Sequence, residues 1–276
     1  MKLPPLRTQE QYDFMKERET SSKIYSNMIS KKDLDHIFQT WKDTHKERQF
    51  VAGGQHKKGT GNIRFPYDLE EFEDILKPLI DECLQSTKWR FISGRLYHVP
   101  EGRVWSTIHT DNWNYLDKQY EDGPPTNNGG KLIRWLRDGK CPVYMPWKTI
   151  IIPLDIKGSA STVLFNQHSY EVESVSWRKH KHRQKFGNGE PAWPHTDYTH
   201  YLNSLKTFNI SEQHYEKYLQ HVTREELTGL SVEQVYDWKV GDVVTWNSTQ
   251  LHVSGYQPEN TEKVGITIWT AYDEPH

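Results

Sequence analysis

The chain has 276 residues and a formal net charge of −2, which suits one large domain and excludes a general electrostatic binder of nucleic acid. Hydrophobic residues make up only 34%, yet eleven Trp and fifteen Tyr supply large ring areas for burial, so a folded, aromatic-rich protein is expected rather than a disordered one. Two cysteines, Cys83 and Cys141, make neither a disulfide framework nor a zinc spacing.

The N-terminal residues Met1 to Leu6 lack an apolar signal core. The longest apolar run, 149–154, is too short to span a bilayer. A cytoplasmic protein without membrane contact is the expectation. The first ~87 residues read as helical support. Gln9 to Glu19 is weakly amphipathic, and Lys32 to Arg48 sets Leu34, Ile37, Phe38 and Trp41 on one helical face. Asp68 to Thr87 repeats that pattern with Phe72, Ile75, Leu76, Leu79, Ile80, Cys83 and Leu84, and Pro78 predicts a kink or break near Lys77. The glycine-rich loop 53–61 between the last two helices lacks the GK[ST] of a phosphate loop.

From Lys88 the texture changes to short β runs. Arg90 to Val99, Val104 to Ile108, Thr149 to Ile156, Ser161 to Asn166, Asp242 to Trp246, His252 to Tyr256 and Val264 to Tyr272 are the expected strands. Such a series predicts an antiparallel sandwich or barrel with helices packed outside. Two long stretches, 112–147 and 169–239, interrupt it and read as insertions of the kind that form binding loops or lids. The second carries the basic run Arg178 to Arg183 and helices near Ser211 to His221. The whole, 1–276, reads as one domain with its core over 88–272, and no internal repeat is present.

The segment Ile108-His109-Thr110-Asp111 holds an HxD pair. On extended chain, residues i and i+2 face the same way, so an imidazole and a carboxylate can converge on one ion. A second histidine from a distant strand would complete a facial triad of two His and one carboxylate, which leaves three positions open on iron(II) for a bidentate co-substrate and dioxygen. His252 is the best partner, because it follows the glycine turn and strand Gly241 to Asn247 and opens another β run. A second HxD, His195-Thr196-Asp197, lies in a Pro-rich stretch without β periodicity. His109 and Asp111 are preferred because regular elements hold metal ligands more rigidly.

Taken together, Arg95-Leu96-Tyr97, Gly102, the HxD, Thr149 to Leu154, Gly241-Asp242-Val243, His252 and Lys263 resemble the Fe(II)/2-oxoglutarate oxygenase superfamily, in its prolyl-hydroxylase-like and phytanoyl-hydroxylase-like branches. The resemblance covers about residues 90–272. It implies a double-stranded β-helix (jelly-roll, cupin-like) core with flanking helices, catalytic metal ligands His109, Asp111 and His252, and Fe(II), 2-oxoglutarate and O2 as cofactors. Relatives pair a basic residue on the strand after the distal histidine with the far carboxylate of 2-oxoglutarate, and Lys263 stands near that place. With a regular strand, Gly265, Thr267 and Trp269 share its face, which would let the Thr267 hydroxyl add a hydrogen bond. Many relatives carry Arg here, and Lys offers a point charge in place of a fork. Related halogenases have a small residue at the carboxylate position, so Asp111 fits hydroxylation of a C–H bond, or another oxidation such as desaturation.

The substrate is less legible: a small molecule or a peptide is expected, and the oligomeric state is not readable. Trp105, Trp113, Tyr115 and Trp147 suit either the pocket mouth or the core, while Arg134 and Arg137 are candidates for a substrate carboxylate. Without interleaved aromatics the basic run reads as a solvated loop, which makes a nucleic-acid partner unlikely. The competing readings are a non-catalytic jelly-roll binding module, a nucleobase-directed oxygenase, and a cupin-type enzyme that keeps the triad without 2-oxoglutarate.

Overall fold

The computed structural model describes residues 8–47, 63–66, 72–99, 101, 108–111, 115–116, 143–168, 170 and 207–275. The loop 53–61, Trp105, Trp113, Arg134, Arg137, the basic run 178–183, His195 and Asp197 lie outside these residues, as do Cys141 and most of the expected strand at Val104.

Among the described residues, three helices precede the β core. Helix α1 (Gln9–Glu17) starts with a capping box, in which the Gln11 N–H donates to the Thr8 hydroxyl and the Thr8 N–H donates to the Gln11 side chain. After the short strand β1 (Lys23–Tyr25), helix α2 (Lys31–Glu47) begins where Ser30 Oγ accepts from the Asp33 N–H at 3.1 Å. Strand β2 (Ile63–Pro66) follows, and helix α3 (Glu73–Leu84) then runs through Pro78 unbroken, so of the kink or break expected near Lys77 the break does not occur. Proline removes one backbone donor, but Leu76, Leu79, Ile80, Cys83 and Leu84 are buried, and that packing keeps the helix whole.

Strands β3 (Trp89–Val99), β4 (Tyr115–Leu116), β5 (Val143–Lys157), β6 (Ser161–His168), β7 (Val232–Asp237), β8 (Val243–Asn247), β9 (Gln250–Ser254) and β10 (Glu262–Pro275) complete the element list, with two short helical segments, 212–219 and Arg224–Leu227, before β7. The larger sheet has the order β1-β8-β5-β10-β3-β2, with β4 also on β5, and the smaller has the order β7-β6-β9. All the pairings are antiparallel. His109 bridges to His252, so the 108–111 segment extends the smaller sheet beyond β9. Counted that way, β3, 108–111, β5, β6, β7, β8, β9 and β10 wind back and forth between two facing sheets. This is the jelly-roll architecture.

Two expectations need correction. Strand β5 begins at Val143, inside the first expected insertion, and β7 lies inside the second. Strand β7 was obscured because its residues Val232–Asp237 are mostly half-buried and mix polar with apolar side chains, so the hydrophobic run is weak.

Burial assigns the faces. Ile150, Ile152 and Leu154 of β5 and Val264, Ile266 and Ile268 of β10 pack outward against α2 and α3. The alternate residues point inward, where Ile151, Val244, Trp246, Leu164, Tyr236 and Trp238 fill the space between the sheets. Behind the smaller sheet, Val163, Phe165, Leu251 and Val253 pack on Ile210, Leu219, Val222, Leu227 and Leu230 of the segment before β7. Strand β5 is therefore buried on both sides, which explains its continuous apolar run.

Candidate metal centre

The centre is built by one backbone pairing. His109 N–H donates to the His252 carbonyl at 3.0 Å, and His252 N–H donates to the His109 carbonyl at 2.9 Å. Directly opposed residues of an antiparallel pair present their side chains on one face, and the two imidazole centroids lie 4.3 Å apart. Asp111, two residues on, is pinned by its own N–H, which donates to the Ser248 carbonyl at 3.0 Å. One ligand atom from each of His109, Asp111 and His252 lies within 4.8 Å of the others. His252 and Asp111 are buried, and His109 is half-buried.

Hydrogen bonding sets the chemistry of each donor. His252 Nδ1 is 3.1 Å from the Gln250 carbonyl oxygen, which only accepts, so Nδ1 carries the proton and Nε2 presents its lone pair. That Nε2 is 3.3 Å from Asp111 Oδ2. Two acceptors thus face each other at a buried point with no proton between them, an arrangement that a cation resolves. Burial first, and then His109, bring the His252 pKa down to about 4 against the opposing pull of Asp111 and the Gln250 carbonyl. The ring is therefore neutral at pH 7, the form a metal requires. Thr149 Oγ1 donates to Asp111 Oδ2 at 3.0 Å and lies 3.3 Å from Ser248 Oγ, which fixes the carboxylate. The Trp246 ring, 4.9 Å from that of His252, walls the inner side.

Lys263 reaches the strand that carries His252. Its side chain is buried, and its ammonium donates to Ser254 Oγ at 3.3 Å and sits 4.5 Å from the Trp238 ring centroid. Ser254 is two residues past His252 on β9, hence on the same face and about 7 Å along the strand. No carboxylate pairs with Lys263 among the described residues, and burial brings its pKa down to about 7. Burial, with Asp111 close by, pushes the Tyr97 phenol up. Thr267 is on the Lys263 face of β10, as the alternation predicts. Gly265 sits between them for a steric reason: a Cβ there would meet the Trp238 ring at 3.0 and 3.1 Å and the Ile152 carbonyl oxygen at 3.2 Å.

The structure brings together His109, Asp111 and His252, and it sets the Lys263 ammonium against Ser254, with Thr267 on the Lys263 face of β10. Trp147 is elsewhere. The register of β5 against β10 shifts between Trp269 and Ala271, and Trp147 stacks on Tyr272 at 4.7 Å, packed against the helix-facing core. Sequence reasoning assigned no roles to Thr149, Ser248, Gln250, Ser254, Tyr97 and Trp238. Only Tyr97 and Ser254 carried a usable signal, the first beside the Arg95-Leu96 strand and the second at i+2 from His252.

No family model and no curated protein sequence matches the chain. Among solved structures it is similar to a collagen prolyl hydroxylase of Paramecium bursaria Chlorella virus-1, with 11% identity, a TM-score of 0.42 and coverage of 92% of this chain and 91% of that one. It is also similar to the α-ketoglutarate-dependent carbocyclase SnoK of nogalamycin biosynthesis, with 10% identity, a TM-score of 0.49 and coverage of 98% and 85%. HygX from Streptomyces hygroscopicus, with nickel and 2-oxoglutarate bound, is a third, at 13% identity, a TM-score of 0.44 and coverage of 98% and 88%.

Proposed function

We propose that the protein is an Fe(II)/2-oxoglutarate-dependent oxygenase that hydroxylates a C–H bond of a small molecule or peptide. The observation that carries this reading is the pair of facing acceptors, His252 Nε2 and Asp111 Oδ2, 3.3 Å apart with His109 beside them. Two imidazoles and one carboxylate form the donor set of the iron(II) facial triad, which leaves sites for a co-substrate and dioxygen.

The buried Lys263 supports the choice of co-substrate. An isolated ammonium in an apolar site is costly, and a dicarboxylate with one end at the metal would neutralise it with the other. Ser254, and Thr267 on the same face of β10 as Lys263, would offer hydroxyls to the same carboxylate. A cupin-type enzyme working without 2-oxoglutarate would leave Lys263 without a counter-ion. When bound, the metal with 2-oxoglutarate and dioxygen supplies the oxidation, in which the keto acid leaves as succinate and carbon dioxide and one oxygen atom goes to the substrate. The chain's own residues hold and orient: Gln250 sets the His252 tautomer, Thr149 and Ser248 fix Asp111, and Trp246 and Trp238 keep the cavity dry.

Anaerobic titration with iron(II) and 2-oxoglutarate tests the reading through the weak visible charge-transfer band of the chelate. The band should form in the wild type and in His195→Ala, and vanish in His109→Ala, Asp111→Ala and His252→Ala. Folded wild-type protein that gives no band refutes it.

A further inference from the structure

The back of the larger sheet carries a second feature with no part in that chemistry. A cleft of about 400 Å³ lies between the chain at 18–23, the end of α3 and the outer face of β5 and β8. Its charged lining is Arg18, Lys23 and Lys148, with no carboxylate among the described lining residues.

Lys148 forms the floor. It is only 6% exposed, and its ammonium donates to Thr20 Oγ1 at 2.7 Å and Asn247 Oδ1 at 2.6 Å. An ammonium has three N–H donors, so one is left without an acceptor among the described residues. Burial and the neighbouring Lys23 bring its pKa down to about 8, as expected of a cation crowded by a like charge and lacking an anion. The carboxylates that reach it through space, Glu233 and Glu19, are committed elsewhere. Glu233 accepts from the Ser22 N–H and from Gln250, and Glu19 is bound by His168 and Tyr170. At the rim, Lys23 has no ion-pair partner among the described residues. Arg18 lies on the Phe14 ring at 3.7 Å, with Glu17 at 4.0 Å.

One wall is aromatic, made by Trp147 stacked on Tyr272. A β-bulge builds this wall together with the cationic floor. The Thr270 hydroxyl accepts from the Lys148 N–H and donates to the Lys148 carbonyl, filling the gap in the ladder, and Trp147 and Lys148 both reach the cleft.

We propose that this cleft binds a small phosphorylated molecule, its phosphate held by Lys148, Lys23 and Arg18 and a planar apolar part lying against Trp147 and Tyr272. The site is separate from the metal centre, being on the opposite face of β5 from Thr149, and its occupancy does not depend on iron or 2-oxoglutarate.

Calorimetric titration of the metal-free protein with phenyl phosphate, inorganic phosphate and phenol tests it. Phenyl phosphate should bind saturably and more tightly than inorganic phosphate, and phenol should not bind. Lys23→Gln and Arg18→Gln, both at exposed positions, should each weaken phenyl phosphate about five-fold at low salt. Absence of saturable binding at millimolar phenyl phosphate, or affinity unchanged in both variants, overturns the proposal. Equal affinity for the two phosphates overturns the role given to the aromatic wall.

Discussion

Replacing Lys263 by Met should stabilise the metal-free protein while abolishing 2-oxoglutarate binding. Lys263 is 2% exposed, and burial takes its pKa from 10.5 to about 7. At ~1.4 kcal/mol per pKa unit this difference amounts to about 5 kcal/mol. The unfolded chain binds the proton more tightly than the folded one, so the penalty is fully present below pH ~7 and is relieved as the pH rises toward 10.5. Water entry and relaxation reduce such penalties, so Lys263→Met should gain roughly 2–4 kcal/mol at pH 7, with the gain shrinking steadily by pH 9.5. Urea unfolding of both proteins at pH 6.5, 8 and 9.5, without metal, measures the difference while other titrating groups cancel. The wild type should also lose 2-oxoglutarate affinity as the pH is raised and the ammonium deprotonates. A stability difference that is independent of pH, or a Met variant that still binds 2-oxoglutarate normally, would refute the reasoning.

Thr149→Val deletes the hydroxyl that donates to Asp111 at 3.0 Å. Iron affinity should fall 10- to 100-fold, the usual cost of losing a partner behind a ligand, read by competition with a chelator. Gly265→Ala pushes a methyl group against Trp238 and the Ile152 carbonyl and should cost ~1–3 kcal/mol of stability in denaturant unfolding, as overpacking does. Thr267→Val removes the hydroxyl on the Lys263 face of β10. It should weaken 2-oxoglutarate roughly five-fold, the effect of about one hydrogen bond, while leaving iron binding in the absence of co-substrate unchanged.

Local chemistry made much of this protein legible in the residues themselves. The 3- and 4-residue spacing of Leu34, Ile37 and Phe38 marked a buried helical face, and the β-branched run at 149–154 marked a strand. The two-residue step from His109 to Asp111 set both donors on one face. The same alternation placed Thr267 with Lys263, because a strand's period is two wherever it is regular.

What the residues could not convey is anything that depends on which strand lies beside which. The bridge between His109 and His252 joins positions 143 apart, and no local pattern encodes it. The acceptor that sets the His252 tautomer is the carbonyl of Gln250, a group every residue has, so composition is silent about it. Thr149 and Ser248 reach Asp111 only because β5 and the β8–β9 turn converge there. The register shift that turns Trp147 away from the metal cavity is a long-range accommodation between β5 and β10. Sequence period fixes direction along one element, whereas contact between elements is decided by the packing of the whole chain, and the site consists of such contacts.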